Sequence, residues 1–478
     1  MIALRTIVAF AGLGETICRD GRERARAVTW RRVVLTASVA LVAAASPIAE
    51  QDHQAMMDRL GITALVPGHN GDEAAPDHAN YDEAKANPFP DLPDPLRLPD
   101  GRTVTDAATW WRIQRPRIAE DYAREVYGRI PAGVPKVTWH VAATEHRIMA
   151  GRPVTLRRLI GHVDNRIWPA ITVDVRLTVV LPDVARPAPV LILFTYKPDD
   201  LQSAKGDLLI GDGWGYAVLD TSSVQADTAE GLRQGIIGLV AKGGPRQPDE
   251  WGALRAWGWG ASRAFDAIAA LPQVDRRHIG IEGVSRWGKA ALVAMAYDQR
   301  FAIGLIGSSG KGGATPLRRD FGEGVGNLAS VGAYHWMAGN FLKYAAASGR
   351  GGAHTANDLP VDSSALIALC APRLTFISYG VPAAGDARWL DQRGSYMATV
   401  DAGRVFRLLG AGALPERGDY RTAQMPPVNG GLLDGALAWR QHDGGHTDLP
   451  NLASFLAWAD ARIGRAPDKK EAAPKGGL

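Results

Sequence analysis

The side chains best suited to chemistry lie in one short segment around Ser285. An apolar run at 279–282 predicts a strand, Gly283-Val284-Ser285 follows it, and a helical pattern begins at the next residue. In such a strand–turn–helix arrangement a sharp turn holds the serine hydroxyl above the carboxyl end of the strand, where it can act as a nucleophile. Gly283 gives the turn room, although Trp287 stands where a second glycine is usual. Ser285 is therefore a candidate nucleophile, and the alternative is a serine that only caps the following helix.

A serine nucleophile needs a base and a carboxylate that orients the base. In α/β-hydrolases both follow the serine along the chain, the acid first and the histidine last. His446 lies in Gly444-Gly445-His446, just before the last predicted helix, and the two glycines allow the loop to bring the imidazole over the serine. The alternatives are a histidine in a surface loop and a metal site shared with His442, for which no third ligand stands at a suitable spacing.

The carboxylate is expected in the loop that follows the next-to-last strand. That strand is predicted at 374–379, and the loop at 380–391 contains Asp386 and Asp391. Asp386 is nearer to the end of the strand and is the preferred candidate. Asp391 remains the alternative, and its carboxylate could equally be solvated or structural.

The elements around these residues alternate between strand and helix. Apolar residues at every second position predict a strand at 173–179, and continuous apolar runs predict buried strands at 190–196 and 216–220. Alternating strands and helices imply an α/β fold, with a mostly parallel sheet covered by helices on both faces. Further short strands are predicted at 279–282, 305–306, 374–379 and 405–409, and helices at 106–127 with Asp106 as N-cap, 251–271, 289–297, 366–370 and about 451–463.

The composition excludes several classes of protein. The chain has 478 residues and carries 54 Lys and Arg against 50 Asp and Glu, and this excess of basic residues lies within 1–45. No basic surface for nucleic acid is therefore expected. The two cysteines, Cys18 and Cys370, rule out a disulfide scaffold and a cysteine-rich metal site. No apolar run reaches the ~18 residues that an ordinary membrane-spanning helix needs.

The ends of the chain have their own composition. Trp30-Arg31-Arg32 precedes an apolar run at 33–45 that ends in three alanines, which is the order of a secretory signal. We expect an export signal with an upstream extension at 1–45, and hence a secreted or periplasmic protein. A polar leader that wraps the surface is expected at 46–89, a catalytic domain at 90–465, and a disordered tail at 466–478.

The segment Gly283–Lys289 resembles the motif G-x-S-R-x-G-K of the glucuronoyl esterases, carbohydrate esterase family fifteen. This motif is far more specific than Gly-x-Ser alone. The resemblance spans roughly 90–463, and it is also carried by Leu92–Leu96, Arg124–Pro131, Trp251–Gly260, Arg318–Glu323, Tyr334–Trp336, Leu359–Asp362, Ala371–Arg373 and the His446 loop.

The resemblance implies an α/β-hydrolase that cleaves 4-O-methyl-glucuronoyl esters of xylan through an acyl-enzyme, with no metal and no organic cofactor. Its partners would be glucuronoxylan or small glucuronate esters, with no nucleic acid, and no membrane once the signal is removed. By this resemblance the nucleophile is Ser285, the base is His446, the oxyanion hole is lined by Arg286, and the sugar is bound by Lys289, Glu323 and Trp336.

The sequence departs from the family at one acid position. Many members carry a glutamate after the strand that follows the nucleophile, whereas Ser308 stands here. A serine cannot supply the negative charge that stabilises an imidazolium. Some bacterial members carry the acid in the later loop instead, and Asp386 resembles that acid.

Two other functions remain open at this point. An esterase acting on other plant cell-wall esters, such as acetylated xylan, would keep Ser285 and His446 but would not need Lys289 to bind a uronate. A carbohydrate-binding protein with little catalysis is the second alternative, and Ser308 is its main support. Taken without the family, Lys289 could be a solvated helix lysine and Trp336 a core aromatic.

Overall fold

The apolar runs in the middle of the chain become strands of a central sheet. A computed structural model describes residues 47–196 and 203–465. The predicted export signal and the predicted C-terminal tail lie outside the described residues. The strands are β1 (Ile62–Leu65), β2 (Val137–Met149), β3 (Arg152–Val163), β4 (Asp174–Pro182), β5 (Ala188–Thr195), β6 (Gly215–Asp220), β7 (Val274–Val284), β8 (Ile303–Gly307), β9 (Ala346–Gly349), β10 (Leu374–Tyr379), β11 (Gly431–Leu432) and β12 (Leu437–Gln441).

The helices cover this sheet and connect its strands. Short 3₁₀ turns also occur in the connections, one of them at Tyr334–Trp336. The α-helices are α1 (Pro47–Leu60), α2 (Ala107–Thr109), α3 (Arg115–Glu125), α4 (Ala204–Gly211), α5 (Thr221–Val224), α6 (Gly235–Val240), α7 (Ala253–Ala269), α8 (Arg286–Tyr297), α9 (Val325–Ala329), α10 (Ser363–Ala368), α11 (Gln392–Leu408) and α12 (Leu449–Ile463).

The sheet has ten strands in the order β11-β12-β10-β8-β7-β5-β6-β4-β3-β2. From β12 to β6 the neighbours run parallel, while β11, β4, β3 and β2 pair antiparallel at the two sides. The parallel strands are buried on both faces, which explains why β5 is a continuous apolar run rather than an alternating one. The α/β-hydrolase prediction of a mostly parallel sheet with helices is confirmed.

Two apolar clusters lie on opposite faces of the sheet, because successive side chains of a strand point to opposite sides. One cluster joins the sheet to α4 and α12 and includes Leu305 and Phe455. The other includes side chains of α7, α8, α10 and α11, among them Trp257, and packs on Ile281. This double cover fixes the strands that end at the candidate site.

The carboxyl ends of four parallel neighbours meet at one edge. Val284 of β7 pairs with Gly307 of β8, and Gly307 pairs with Ser378 of β10. Tyr379 of β10 pairs in turn with Gln441 of β12. The loops that leave β7, β8, β10 and β12 therefore begin side by side.

The prediction of a strand at 405–409 is wrong. These residues include the last turn of α11, and Val405 and Phe406 are buried there. The apolar residues at 405, 406, 408 and 409 have helical spacing, which outweighs the β-branched valine. The strand that completes the parallel part of the sheet is β12, whose sequence Leu-Ala-Trp-Arg-Gln is too short and mixed to be predicted.

The segment expected to wrap the surface at 46–89 also differs. It begins with α1 and β1, and Met56, Met57 and Ile62 are buried in the larger apolar cluster. A few apolar residues on one helix face are sufficient for this packing, although the segment as a whole is polar.

The helix predicted at 106–127 is present but interrupted. Asp106 caps its start, since Oδ1 accepts a hydrogen bond of 2.8 Å from Thr109 N. A π-helical turn at Trp110–Gln114 separates α2 from α3, and Pro116 is the second residue of α3.

Candidate active site

Ser285 occupies the sharp turn between β7 and α8. Its backbone angles, φ 63° and ψ −128°, are ones that a non-glycine residue rarely adopts. Ser285 N donates to Gly307 O at 2.9 Å, which ties the turn to β8. The serine side chain makes no capping hydrogen bond to α8. The alternative of a simple helix cap is therefore wrong, and the strained turn matches that of a nucleophile.

The glycines of this turn are required by close approaches of the backbone. A Cβ on Gly283 would lie 2.3 Å from Trp287 O, and one on Gly288 would lie 2.5 Å from Gly307 O. The contact of Gly288 with β8 explains why the second glycine is needed one position later than usual, while position 287 accepts a tryptophan.

His446 and Asp386 are in direct contact. His446 Nδ1 donates a hydrogen bond of 2.8 Å to Asp386 Oδ1. The carboxylate is fully buried, whereas the imidazole is 39% exposed. A buried carboxylate on Nδ1 fixes the tautomer of the ring and leaves Nε2 without a proton, as a general base requires. Because a carboxylate does reach the imidazole, Ser308 no longer favours a binding protein with little catalysis.

Asp386 is held by two further donors on its other oxygen. Ser308 Oγ donates to Oδ2 at 2.9 Å, and Gly380 N donates to it at 2.8 Å. Asp391, the alternative acid, instead accepts from Arg319 Nε at 2.8 Å and caps α11. Asp391 is thus a structural carboxylate, and Asp386 is the acid that reaches the histidine.

The loop that carries His446 is closed by the ring of His442. Gly444 N donates to His442 Nδ1 at 3.0 Å, and Nε2 donates to Thr447 O at 2.7 Å. Burial is the main cause that lowers the pKa of His442, which keeps the ring neutral for this pattern. Both ring nitrogens are used, so the metal pair of His442 and His446 is wrong. Within 47–196 and 203–465 no cluster of three potential metal ligands occurs.

Glycines allow the loop of Asp386 to pack closely against the loop of His446. A Cβ on Gly380 would lie 2.3 Å from Gly445 O, and one on Gly445 would lie 2.3 Å from Ala384 O. Val381 N also donates to Gly444 O at 2.9 Å. The glycines near His446 therefore serve close packing of the two loops.

Asp227 accepts hydrogen bonds from three side chains, and one of them, Arg286, directly follows Ser285 in the chain. Arg286 donates to its Oδ2 at 2.6 Å, while Trp336 Nε1 and His335 Nε2 donate to Oδ1 at 2.6 and 3.0 Å. Burial raises the pKa of Asp227, but these hydrogen bonds and the charge of Arg286 outweigh it, so the net pKa lies well below the ordinary value. The guanidinium lies 5.3 Å from the centre of the Trp336 ring.

Lys289 is buried on the inner side of α8. Its ammonium donates to Ser309 O at 2.7 Å and to Lys311 O at 2.6 Å. Glu323 Oε2 lies 3.5 Å away. Burial is the main cause that lowers the pKa of Lys289, and the charge of Glu323 opposes it. Lys289 is thus not a solvated helix lysine, and protein carbonyls hold two of its three N–H donors.

Three further ionisable side chains form a cluster near the carboxyl ends of the parallel strands. Lys205 Nζ contacts Glu282 Oε1 at 2.6 Å and Asp448 Oδ1 at 2.7 Å. Burial and the neighbouring Asp448 raise the pKa of Glu282 to about 8. Glu282 stands three residues before Ser285, and Asp448 two residues after His446, so this Lys205–Glu282–Asp448 cluster links the serine strand to the histidine loop.

The predicted site residues thus fall into connected groups. His446 joins Asp386, Arg286 joins Trp336 through Asp227, and Lys289 joins Glu323. The Lys289 ammonium also lies 6.0 Å from the centre of the Trp336 ring. Sequence reasoning missed Asp227 and the Lys205–Glu282–Asp448 cluster, and it considered His442 only as a metal ligand. The available signal for Asp227 was its position shortly after a predicted strand, at 216–220.

Comparisons with known proteins show the family of the chain. A family model described as "Glucuronyl esterase, fungi" matches residues 172–410. A solved CE15 glucuronoyl esterase from Teredinibacter turnerae T7901 is 38% identical, with a TM-score of 0.80, and the match covers 87% of this chain and 100% of that one. The chain belongs to the glucuronoyl esterases of carbohydrate esterase family 15.

Two curated relatives of this family member are more distant in sequence. "Carbohydrate esterase MZ0003", from an unknown prokaryotic organism, is 29% identical over 71% of this chain and 83% of its own length. "4-O-methyl-glucuronoyl methylesterase 1" from Wolfiporia cocos is 25% identical over 73% of this chain and 74% of its own length. Among the described helices, none combines the length and the apolar character needed to cross a bilayer.

Proposed function

We propose that this protein is a serine esterase that hydrolyses 4-O-methyl-glucuronoyl esters of xylan through an acyl-enzyme. The observation that carries the proposal is the 2.8 Å hydrogen bond from His446 Nδ1 to the buried Asp386, on loops that begin beside the strained turn of Ser285. The name of the Wolfiporia cocos relative indicates the acyl group.

In the proposed reaction His446 Nε2 removes the proton of Ser285 as Oγ attacks the ester carbonyl. Asp386 stabilises the imidazolium that forms, and the imidazolium then gives its proton to the leaving alcohol. Water attacks the acyl-enzyme in the same way and releases the uronic acid. The oxyanion is stabilised by Arg286 and by backbone N–H groups at the start of α8, each donor contributing about 3–4 kcal/mol.

The uronate would lie on the side of Ser285 where Arg286 and Trp336 project. Trp336 is half-buried, and its indole N–H is fixed by Asp227, so the ring offers a rigid face for a sugar. The third N–H of Lys289 and the carboxylate of Glu323 would bind the hydroxyls of the sugar. These assignments rest on the family resemblance together with the contacts described above.

The test is hydrolysis of benzyl or methyl glucuronate by the wild type and by Ser285→Ala. The variant is expected to lose turnover altogether while it keeps the melting temperature of the wild type. Wild-type turnover by the variant would refute the serine assignment. Parallel assays with acetylated xylan separate the proposed substrate from other cell-wall esters, since an acetyl ester offers no uronate for Lys289 and Glu323 to bind.

We also propose that the protein is exported, on the basis of Trp30-Arg31-Arg32 and the apolar run at 33–45. Expression of the full chain with a tag at its carboxyl end should yield a processed protein outside the cytoplasm. Retention of the entire chain in the cytoplasm would contradict export, without bearing on the esterase activity.

A further inference from the structure

Helix α8 begins directly after the nucleophile, and its first turn carries two cations that each face a carboxylate. Arg286 Nη1 is 2.6 Å from Asp227 Oδ2, and Lys289 Nζ is 3.5 Å from Glu323 Oε2. Arg286 follows the nucleophile directly along the chain, and Lys289 lies one helical turn further on. Each cation of α8 beside Ser285 thus has its own carboxylate, and the four side chains together carry no net charge.

His335 does not change the net charge of these four side chains. The ring is 2% exposed, and burial is the main cause that lowers its pKa, with Asp227 opposing. A neutral imidazole that donates from Nε2 satisfies Oδ1 of Asp227 without neutralising it. The charge of Asp227 therefore remains available to balance Arg286.

The reaction converts an uncharged ester into an anion at the same carbon. A free arginine next to that carbon would bind the carboxylate product through its planar fork, as arginines commonly do. One side of the Arg286 guanidinium is bound to Asp227. Arg286 can still donate a hydrogen bond to an oxyanion, but the Arg286–Asp227 pair offers the product no net positive charge.

We propose that Asp227 is a specificity-determining residue that makes the site favour the neutral glucuronoyl ester over the glucuronate product, while it orients Arg286 and Trp336. This inference rests on the proposed function, because it assumes that the uronate carbonyl lies beside Ser285. Asp227 acts through Arg286 and need not touch the substrate. Its removal should change the ratio of affinities for acid and ester.

The experiment uses Asp227→Asn in the Ser285→Ala background, so that the ester is not consumed. Asparagine keeps an acceptor for Trp336 and His335 but removes the charge. Calorimetry should show glucuronate binding about fivefold tighter than in Ser285→Ala alone, the effect of one partly exposed charge pair. Affinity for methyl glucuronate should stay within about twofold. Equal affinities for glucuronate in the two proteins would overturn the inference.

A matched control is Asp266→Asn, because Asp266 pairs with Arg300 at 2.5 Å with nearly the same exposure, away from the site. It should leave both affinities unchanged. If Asp227→Asn does not fold, the Ser285→Ala protein alone still tests the idea. Its glucuronate affinity should change by less than about twofold between low salt and ~0.5 M NaCl, whereas a steep loss would indicate an unbalanced cation and refute the proposal.

These outcomes are separate from the esterase assay. A protein with intact Ser285 that hydrolyses no glucuronoyl ester would refute the proposed function, whatever the calorimetry shows. A protein that hydrolyses the ester, but whose acid-to-ester affinity ratio does not respond to Asp227→Asn, would refute only the role of Asp227.

Discussion

Ser308 donates its hydroxyl to Oδ2 of Asp386 over 2.9 Å. Ser308 follows β8 and Asp386 lies in the loop after β10, so this hydrogen bond joins the ends of two neighbouring strands. The other oxygen of Asp386 is left for His446. The charge that faces the imidazole therefore comes from the loop after β10, and the residue after β8 supplies a hydrogen bond to that charge.

Asp386→Asn should reduce kcat by about 10⁴-fold, the effect of losing the tautomer-fixing carboxylate in a serine triad. Ser308→Ala removes one of the two donors to Oδ2 of Asp386 but leaves the contact with His446, and it should cost less than about tenfold in kcat. Steady-state kinetics on benzyl glucuronate compare the two variants. A loss in Ser308→Ala as large as that in Asp386→Asn would mean that the acid has been misassigned.

His442→Ala should lower kcat about tenfold or more, because the loop of His446 loses the ring that bonds to Gly444 N and Thr447 O. KM should remain within about twofold, since the sugar-binding residues lie on other loops. His162→Ala is the control, because His162 is half exposed on β3. Equal rate losses in both variants, or a change confined to KM, would argue against this role.

Gly283→Ala should destabilise the protein by about 1–3 kcal/mol or abolish folding, because the new Cβ meets the backbone carbonyl of Trp287. Any folded fraction should have very low turnover, since the turn that aims Ser285 must open. Gly332→Ala is the matched control, as nothing lies within 4 Å of its added Cβ. Thermal unfolding and kcat that match the wild type would disprove the close approach.

Glu282→Gln should make the free energy of unfolding less sensitive to a rise in pH from 4.5 to about 8. The folded pKa of about 8 lies above the ordinary value of 4.5. The stability contributed by Glu282 is therefore fully present below pH 4.5 and is lost as pH rises through about 8. The stability gain of the glutamine variant should be near zero at pH 4 and reach on the order of 3 kcal/mol at pH 8.

Denaturant unfolding at a series of pH values measures this difference. Glu73→Gln is the control, because the Glu73 side chain is 58% exposed. A constant difference between Glu282→Gln and the wild type across the range would show that Glu282 is not held in its protonated form by Asp448 and burial.

The fold was largely predictable because the parallel strands are continuous apolar runs with helical segments between them. The prediction failed where the pattern is short or mixed. The strand β12 is five residues long and contains Arg440 and Gln441. The end of α11 contains adjacent apolar residues, a pattern that is also typical of a short strand. In both cases the secondary structure depends on burial against segments that are distant along the chain, and the local spacing of apolar residues does not reveal such burial.

The site was predictable where its residues follow strand ends in a fixed order, as with Ser285, Asp386 and His446. Asp227 was not, because its partners stand 59, 108 and 109 residues away along the chain. A carboxylate in a loop has no local feature that distinguishes it from a solvated one. Asp227 is distinguished only in the folded protein, where three side-chain donors contact its two oxygens.

The backbone contact between Gly380 and Gly445 has a consequence for engineering and for divergence within the family. Because each glycine faces a carbonyl of the opposite loop, neither loop can be exchanged for a bulkier counterpart alone. A chimera that imports the 380–391 segment from a relative should be inactive unless the matching 442–448 segment is imported with it. The loops of Asp386 and His446 thus form one structural unit, although 60 residues separate the two side chains along the chain.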